Sequence, residues 1–380
     1  MEKLSPVSIQ DQSDSGWQLD DTTRAVFVKL LSTGTPLDDA VLGRMYRGVL
    51  TGLNDAFILD QATRDRLLAM DANSQKLIKP LLRGSDLRPW YQENEGRWLI
   101  VIPSGWTSKT FGVGLTEEEA WSNFQRHYSS VASYLQTFAE AARKRLDKGE
   151  YWWELRSCNY YDEFEAPKVF WPDIAKIPRF SWDATGFYVN DKGFFVVPEH
   201  PYILGVLQSR ASWLCISKLC VPLGERAGLI RYQHKSQFIS RLPIPQASDE
   251  TKDTIGGLAM SITEHANARY TLHHRARHRI LSDLGTPDHS LNQKLTSWWE
   301  LDFPAFRREI QKVFKHDIPL KTRDEWEEWL DAQHAVHQRH TTEIIRLETA
   351  LNQHVYTLFD LTPAEIQIIE TSTKYRYGEV

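Results

Sequence analysis

LIKPLLRGSDLRPW, residues Leu77 to Trp90, is the stretch from which the rest of the chain can be read. It sets Lys79, Arg83 and Arg88 around Gly84 and ends on the aromatic pair Trp90 and Tyr91. Glycine lets a backbone turn with positive φ or come close to another group, and guanidinium or ammonium groups beside aromatic faces suit phosphate and base contacts. Read alone, the stretch also fits a short helix ending at Gly84 with its arginines in water. Upstream, RGVLTGLNDAFILD (Arg47 to Asp60) predicts a glycine-flanked turn, a strand over AFIL, and then a short helix, DQATRDRLLAM, capped by Asp60. Downstream, RWLIVIP predicts a buried strand stopped by Pro103.

These two segments, in this order, resemble the start of the TaqI-like C-terminal specificity domain. That domain is the target-recognition part of adenine-specific DNA methyltransferases and fused type IIG restriction-methylation enzymes. The matching positions are Arg47, Gly48, Thr51, Gly52, Asn54, Ala56 and Phe57, then Ile78, Lys79, Pro80, Leu82, Arg83, Gly84, Asp86, Leu87 and Trp90. The similarity continues through Trp153 to Arg156, Phe164 to Ile174 (with Trp171 where tyrosine is common), Pro178 to Tyr188, Tyr202 to Ser209 and Arg231 to Pro245. The tail, EIIRLETALNQHVYTLFDLTPAEIQIIE and the terminal YGEV, is similar to the end of the same enzymes, so a natural C-terminus is expected. The resemblance implies an α+β fold: a mixed or antiparallel-sheet DNA target-recognition domain over residues 40–245. An all-helical C-terminal domain follows over 246–380, and an N-terminal lead and helix occupy 1–39.

Local signals agree with that division. Asp20 or Asp21 can cap a first helix that Gly34 ends, and Thr116 with Glu119 can form a capping box, with QRHYSS breaking the helical stretch that follows. FSWDATGFYVNDKGFFVVP predicts two or three antiparallel strands, turning at Thr185–Gly186 and Asp191–Gly193. A helix over HPYILGVLQSRASWLCISKLC follows, and then a short strand, a short helix and an extended proline segment to Pro245. Beyond it a long helix should start near Ser248 or Asp249 and be interrupted at Gly256–Gly257.

At 380 residues and 41% hydrophobic content the chain can bury a sizeable core and divide into two domains. Its net charge of −5 excludes a wholly charge-driven nucleic-acid binder but not one with a local basic face. Such a face is present in sequence. From Gly205 to Pro245, six basic residues (Arg210, Lys218, Arg226, Arg231, Lys235 and Arg241) stand against Glu225 alone, a local charge of +5. Three cysteines without a CxxC pair, no membrane-length apolar run and no signal-peptide core predict a cytoplasmic protein.

The motifs of methyl transfer are missing: there is no Pro-Pro pair for an Asn-Pro-Pro-aromatic loop, and nothing matches a glycine-rich S-adenosylmethionine loop. No catalytic residue, cofactor or metal is therefore assigned. Glu250-Thr251-Lys252 has nuclease spacing but falls at a predicted helix start, and His274 with His278, or His334, His337 and His340, read as solvent-facing helix histidines. The expected partners are double-stranded DNA and a separate DNA adenine methyltransferase. The DNA-contacting candidates are Lys79, Arg83, Arg88, Lys168, Arg179, Arg226, Arg231, Tyr232, Gln233, Lys235 and Gln237, with His234 offering further base-edge groups. Asp86 and Asp173 can instead tie Arg83 and Arg179 into the fold, and Trp90, Trp152, Trp153 and Trp171 read as core aromatics. Trp298–Trp299 is a candidate partner contact. A divergent nuclease, or an interaction protein that kept the fold without DNA affinity, are the alternatives.

Overall fold

A computed structural model describes residues 21–286 and 289–379. The acidic lead, the capping expected from Asp20 or Asp21, and Val380 lie outside what it describes. The described chain is α+β, with short strands in several small sheets followed by a helical C-terminal region. The strands are β1 (Thr35–Pro36), β2 (Met45–Arg47), β3 (Ile58–Leu59), β4 (Ile78–Leu82), β5 (Trp98–Ile100), β6 (Lys168–Pro172), β7 (Ile174–Ala175), β8 (Ser181–Asp183), β9 (Tyr188–Val189), β10 (Gly193–Val196), β11 (Val221–Arg226), β12 (Leu229–Gln233) and β13 (Pro243–Ile244).

One antiparallel sheet runs β2-β10-β6-β8; a second, β3-β5-β4-β9, is mixed, because β9 joins β4 in parallel. A third, β11-β12-β7, is antiparallel, and β1 clips onto β13, tying the N-terminal helix (Asp21–Thr33) to the end of the sheet region. The expected antiparallel run around Thr185–Gly186 and Asp191–Gly193 does contain three strands, but they do not pair with one another. β8 and β10 flank β6, whose five residues are all buried, and β9 crosses to the other sheet. An apolar central strand needs a neighbour on each edge, which outweighs the local turns.

Several local readings hold. Asp60 accepts a hydrogen bond from the Thr63 N–H at 2.7 Å, Thr116 and Glu119 form the capping box, and the helix breaks at Tyr128. Others change. AFIL is a helical turn, Asn54–Phe57, running into the two residues of β3; Thr51 starts the turn by hydrogen-bonding Asn54 at 2.7 Å, and the turn buries Ala56 and Phe57. The helix expected from Tyr202 divides at Ser209, which caps the second segment, Arg210–Leu219, by accepting from the Ser212 N–H. The Asp249–Leu284 helix, capped by Ser248, continues through Gly256–Gly257. A Cβ on Gly256 would sit 2.7 Å from the His200 ring, and one on Gly205 would sit 2.6 Å from Ile255. Glycine there lets two elements cross closely rather than ending a helix.

The helical region does not pack apart from the sheets. One core joins Leu30, Trp171, Leu204 and Trp213 with Ile255, Ile262, Leu351 and Tyr356 from the Asp249–Leu284 and Arg323–Leu358 helices. A second core fills the space under the mixed sheet, around Phe57, Leu99, Phe124 and Trp153. A third, at the far ends of the two long helices, holds Trp298, Phe306 and Trp326. Pro245 thus marks a change in secondary structure but not a break in packing. No described helix is long and apolar enough to cross a membrane.

Candidate nucleic-acid interface

Three of the segments quoted above meet at one turn, Val189–Gly193. The Gly48 N–H donates to Gly193 O at 2.9 Å, the Gly84 N–H to Asn190 Oδ1 at 3.1 Å, and the Asp173 N–H to Lys192 O at 2.9 Å. Contact is close enough to require glycine. A Cβ on Gly48 would lie 2.0 Å from Asn190 O, and one on Gly84 would lie 2.2 Å from Lys192 O. The RG pairs therefore serve close backbone approach, and LRGSDL is β4 followed by a single helical turn, Gly84–Asp86. Asp86 accepts from the Arg83 N–H and pairs with Arg97 at 2.7 Å, so the acid expected to hold the Arg83 side chain holds Arg97 instead.

Beside this turn opens a groove of about 440 Å³, with Arg83, Ser85, Ile174, Arg179, Asn190 and Lys192 on its walls. Arg83 is exposed. Arg179 is half-buried with its Nε unpartnered, and burial, then the nearby Arg88 charge, lowers its pKa from the usual guanidinium value. No ion pair joins Asp173 to Arg179 among the described residues, and Asp173 Oδ1 is itself buried without a partner.

The third sheet continues from the groove. β7 follows Asp173, and Ile174 pairs with Gln233 of β12. β11 and β12 form a hairpin whose two-residue turn, Ala227 and Gly228, has φ of 53° and 75°, the primed geometry that matches strand twist. β11 was not read from the sequence: its single-residue signal, a glycine at 228, is weaker than an Asn-Gly pair. Arg226 is exposed on β11, while Arg231 is held by donating to Leu223 O at 2.9 Å. Lys235 and Gln237 are exposed just beyond β12.

Four candidates lie elsewhere or are already engaged. Lys168 is fully buried; its Nζ donates to Asp183 at 2.7 Å and to the carbonyls of Phe164 and Ala166. Burial lowers its pKa and Asp183 opposes the shift. An ammonium with three internal acceptors and no solvent contact cannot meet a phosphate, so Lys168 is a fold-forming residue. Tyr232 is also buried, edge-on to Trp213, with its phenol pushed up to about 12 by burial and then by Cys220. It is no stacking platform. Lys79 pairs with Glu165 at 2.9 Å, and Arg88 with Glu93 at 2.6 Å while also donating to the carbonyls of Ser85 and Leu87.

The remaining expectations divide in the same way. His234 is fully buried, its pKa lowered to about 3 by burial and then by Arg179, so it offers nothing to a base edge. Arg210 of the basic segment is buried against Glu370 and the Tyr377 ring. Trp90, Trp152, Trp153 and Trp171 are core residues, and the Trp90 indole donates to Glu348 of the Arg323–Leu358 helix at 2.7 Å. Trp298 is core as well, whereas Trp299 stacks on His273 at 3.8 Å and stays half-buried. The tail histidines are not all solvent-facing: His337 meets His273 at 2.9 Å and His340 meets His265 at 3.0 Å between the long helices. Among the described residues, no three His, Cys, Asp or Glu side chains are grouped to hold a metal. Glu250 and Lys252 sit in the first turn of the Asp249–Leu284 helix.

Residues 248–355 match a domain of unknown function, DUF8810. No curated protein matches the chain. Among solved structures it is similar to the type IIL restriction-modification enzyme MmeI in complex with DNA, at 13% identity and a TM-score of 0.43, over 78% of this chain and 35% of that one. It is also similar to the type IIG restriction endonuclease BpuSI, at 13% identity and a TM-score of 0.37, over 85% of this chain and 33% of that one. The chain thus spans about a third of the length of these two proteins.

Proposed function

We propose that the protein recognises duplex DNA sequence-specifically, as the specificity part of an adenine-methylating restriction-modification system, and that a separate methyltransferase supplies the chemistry. The observation that carries this is the continuous surface from the groove to the hairpin. On it Arg83, Arg179, Arg226 and Lys235 have no carboxylate within ion-pair distance among the described residues. Arginines and lysines not held in ion pairs suit the phosphate backbone, even with Asp173 on the groove wall, and a β-ribbon fits the major groove. The ordered motifs of the specificity-domain resemblance support the same reading. Under it the protein works in the cytoplasm, binds no cofactor and has no catalytic centre of its own.

The test is retention of a random duplex library at near-physiological salt, by the chain alone and mixed with its methyltransferase, followed by sequencing. An enriched motif, lost in an Arg83→Ala/Arg179→Ala double variant that still folds, is the expected result. Failure to enrich any motif in either mixture, with the chain folded by circular dichroism, rejects the reading and leaves a protein partner as the target.

A further inference from the structure

The third sheet brings together three side chains that are distant in sequence, Val221, Gln233 and Ile174. Val221 lies opposite Gln233, and Gln233 lies opposite Ile174, across all three strands. Directly opposed residues of antiparallel strands project to the same face. The next row, Pro222–Tyr232–Ala175, takes the other face, where Tyr232 and Ala175 are buried and Pro222, on the edge strand, is exposed. The Val221–Gln233–Ile174 row therefore faces solvent, with Val221 44% and Ile174 42% exposed. The Gln233 amide makes no hydrogen bond among the described residues, and Ile174 also lines the cationic groove. Two exposed β-branched residues on either side of an unengaged amide leave apolar surface in water for no gain to the fold.

We infer that this row reads base edges in the major groove. The Gln233 amide takes the N6 and N7 edge of an adenine, and Ile174 and Val221 contact thymine 5-methyl groups to either side. The inference rests on the proposed DNA recognition and names its ligand, a short A·T-containing step. Charge complementarity favours this occupant: Arg231 and Lys235 lie two residues either side of Gln233, and Ile174 shares its groove with Arg83, Arg179 and Lys192, with Asp173 as the acid on its wall. The spacing agrees: two inter-strand distances of about 4.8 Å come to about three base-pair rises of roughly 3.4 Å. Amide to adenine and aliphatic carbon to the thymine methyl are the pairings major-groove geometry allows.

Deoxyuridine in place of thymine removes only the 5-methyl group and so tests the row within whatever site the library yields. For the wild-type chain, deoxyuridine at one or two positions should weaken binding about fivefold, within the range of a lost base contact. Ile174→Ala or Val221→Ala should abolish that penalty. Gln233→Ala should lose about tenfold of its preference for adenine at one position while keeping the wild-type dependence on salt. If the wild-type chain selects a motif but the three variants select it equally well, and deoxyuridine changes nothing, the row is not a reader and DNA recognition stands without it. If the folded wild-type chain selects no motif, the inference falls together with the reading it rests on.

Discussion

The Val189–Gly193 turn and the β11-β12-β7 sheet are neighbours joined through Asp173 and Ile174, yet one is closed and the other open. At the turn, three segments press on one piece of backbone so tightly that two glycines have no space for a Cβ. Around it, charges such as Lys168 and Asp86 are paired inside the protein. On the sheet, side chains such as Val221 and Arg226 stand in solvent, and among the described residues no ion pair holds Arg226 or Arg231. The glycines and paired charges at the turn thus build a scaffold, whereas side chains free to meet a ligand, Arg226 and Ile174 among them, stand exposed on the sheet beside it. Under the proposed DNA recognition, that division keeps the frame constant while the reading surface varies.

Changes on the scaffold side should cost stability, and the largest loss is expected at Lys168. Lys168→Ala strands the Asp183 carboxylate in the core and should lower unfolding free energy by about 3–5 kcal/mol, read by urea denaturation. Whatever protein remains folded should bind DNA as the wild type does; a selective loss of DNA affinity would return Lys168 to the interface. Gly48→Ala, which forces a methyl onto Asn190 O, should cost about 3 kcal/mol. A variant as stable as the wild type would mean that the clamp yields and the close approach is not required.

The histidine seam between the long helices extends the comparison to pH. Burial, and after it the facing His337, Arg269 and Arg277, lowers His273 to about 2; burial, Arg269, His334 and His340 lower His337 to about 4. Both groups titrate higher when unfolded, near 6.5, so the unfolded chain takes up protons first. Their contribution is complete above about pH 6.5 and is lost as pH falls through the folded values, about 4 for His337 and about 2 for His273; by pH 5 about 2 kcal/mol is lost from His273, with a smaller loss from the more exposed His337. Urea denaturation at pH 7.5 and pH 5 measures it, and a His273→Gln/His337→Gln variant should flatten the difference. An unchanged difference would place the titrating groups elsewhere. The smallest effect belongs to the open side. Arg226→Ala should leave stability unchanged, weaken DNA binding similarly for all sequences, and reduce the slope of log affinity against log salt by about 1. A change of preferred motif instead would make Arg226 a base reader.

Much of this was legible in the chain. The close approach at Gly84, the caps at Asp60, Thr116 and Ser248 and the core tryptophans follow from local sterics and side-chain chemistry, which a sequence records directly, and the α+β order follows from the resemblance of its ordered motifs. The fates of the charged residues were not. Lys168 and Arg231 look alike in sequence, but only Lys168 has an acid brought to it, Asp183, through the pairing of β6 with β8. Asp86 chose Arg97 over the adjacent Arg83. Ile174 and Gln233, 59 residues apart, share one face only because β7 completes the β12 edge. Ion pairing and exposure depend on which distant segments become neighbours, and that is a property of the packed chain rather than of any stretch of it.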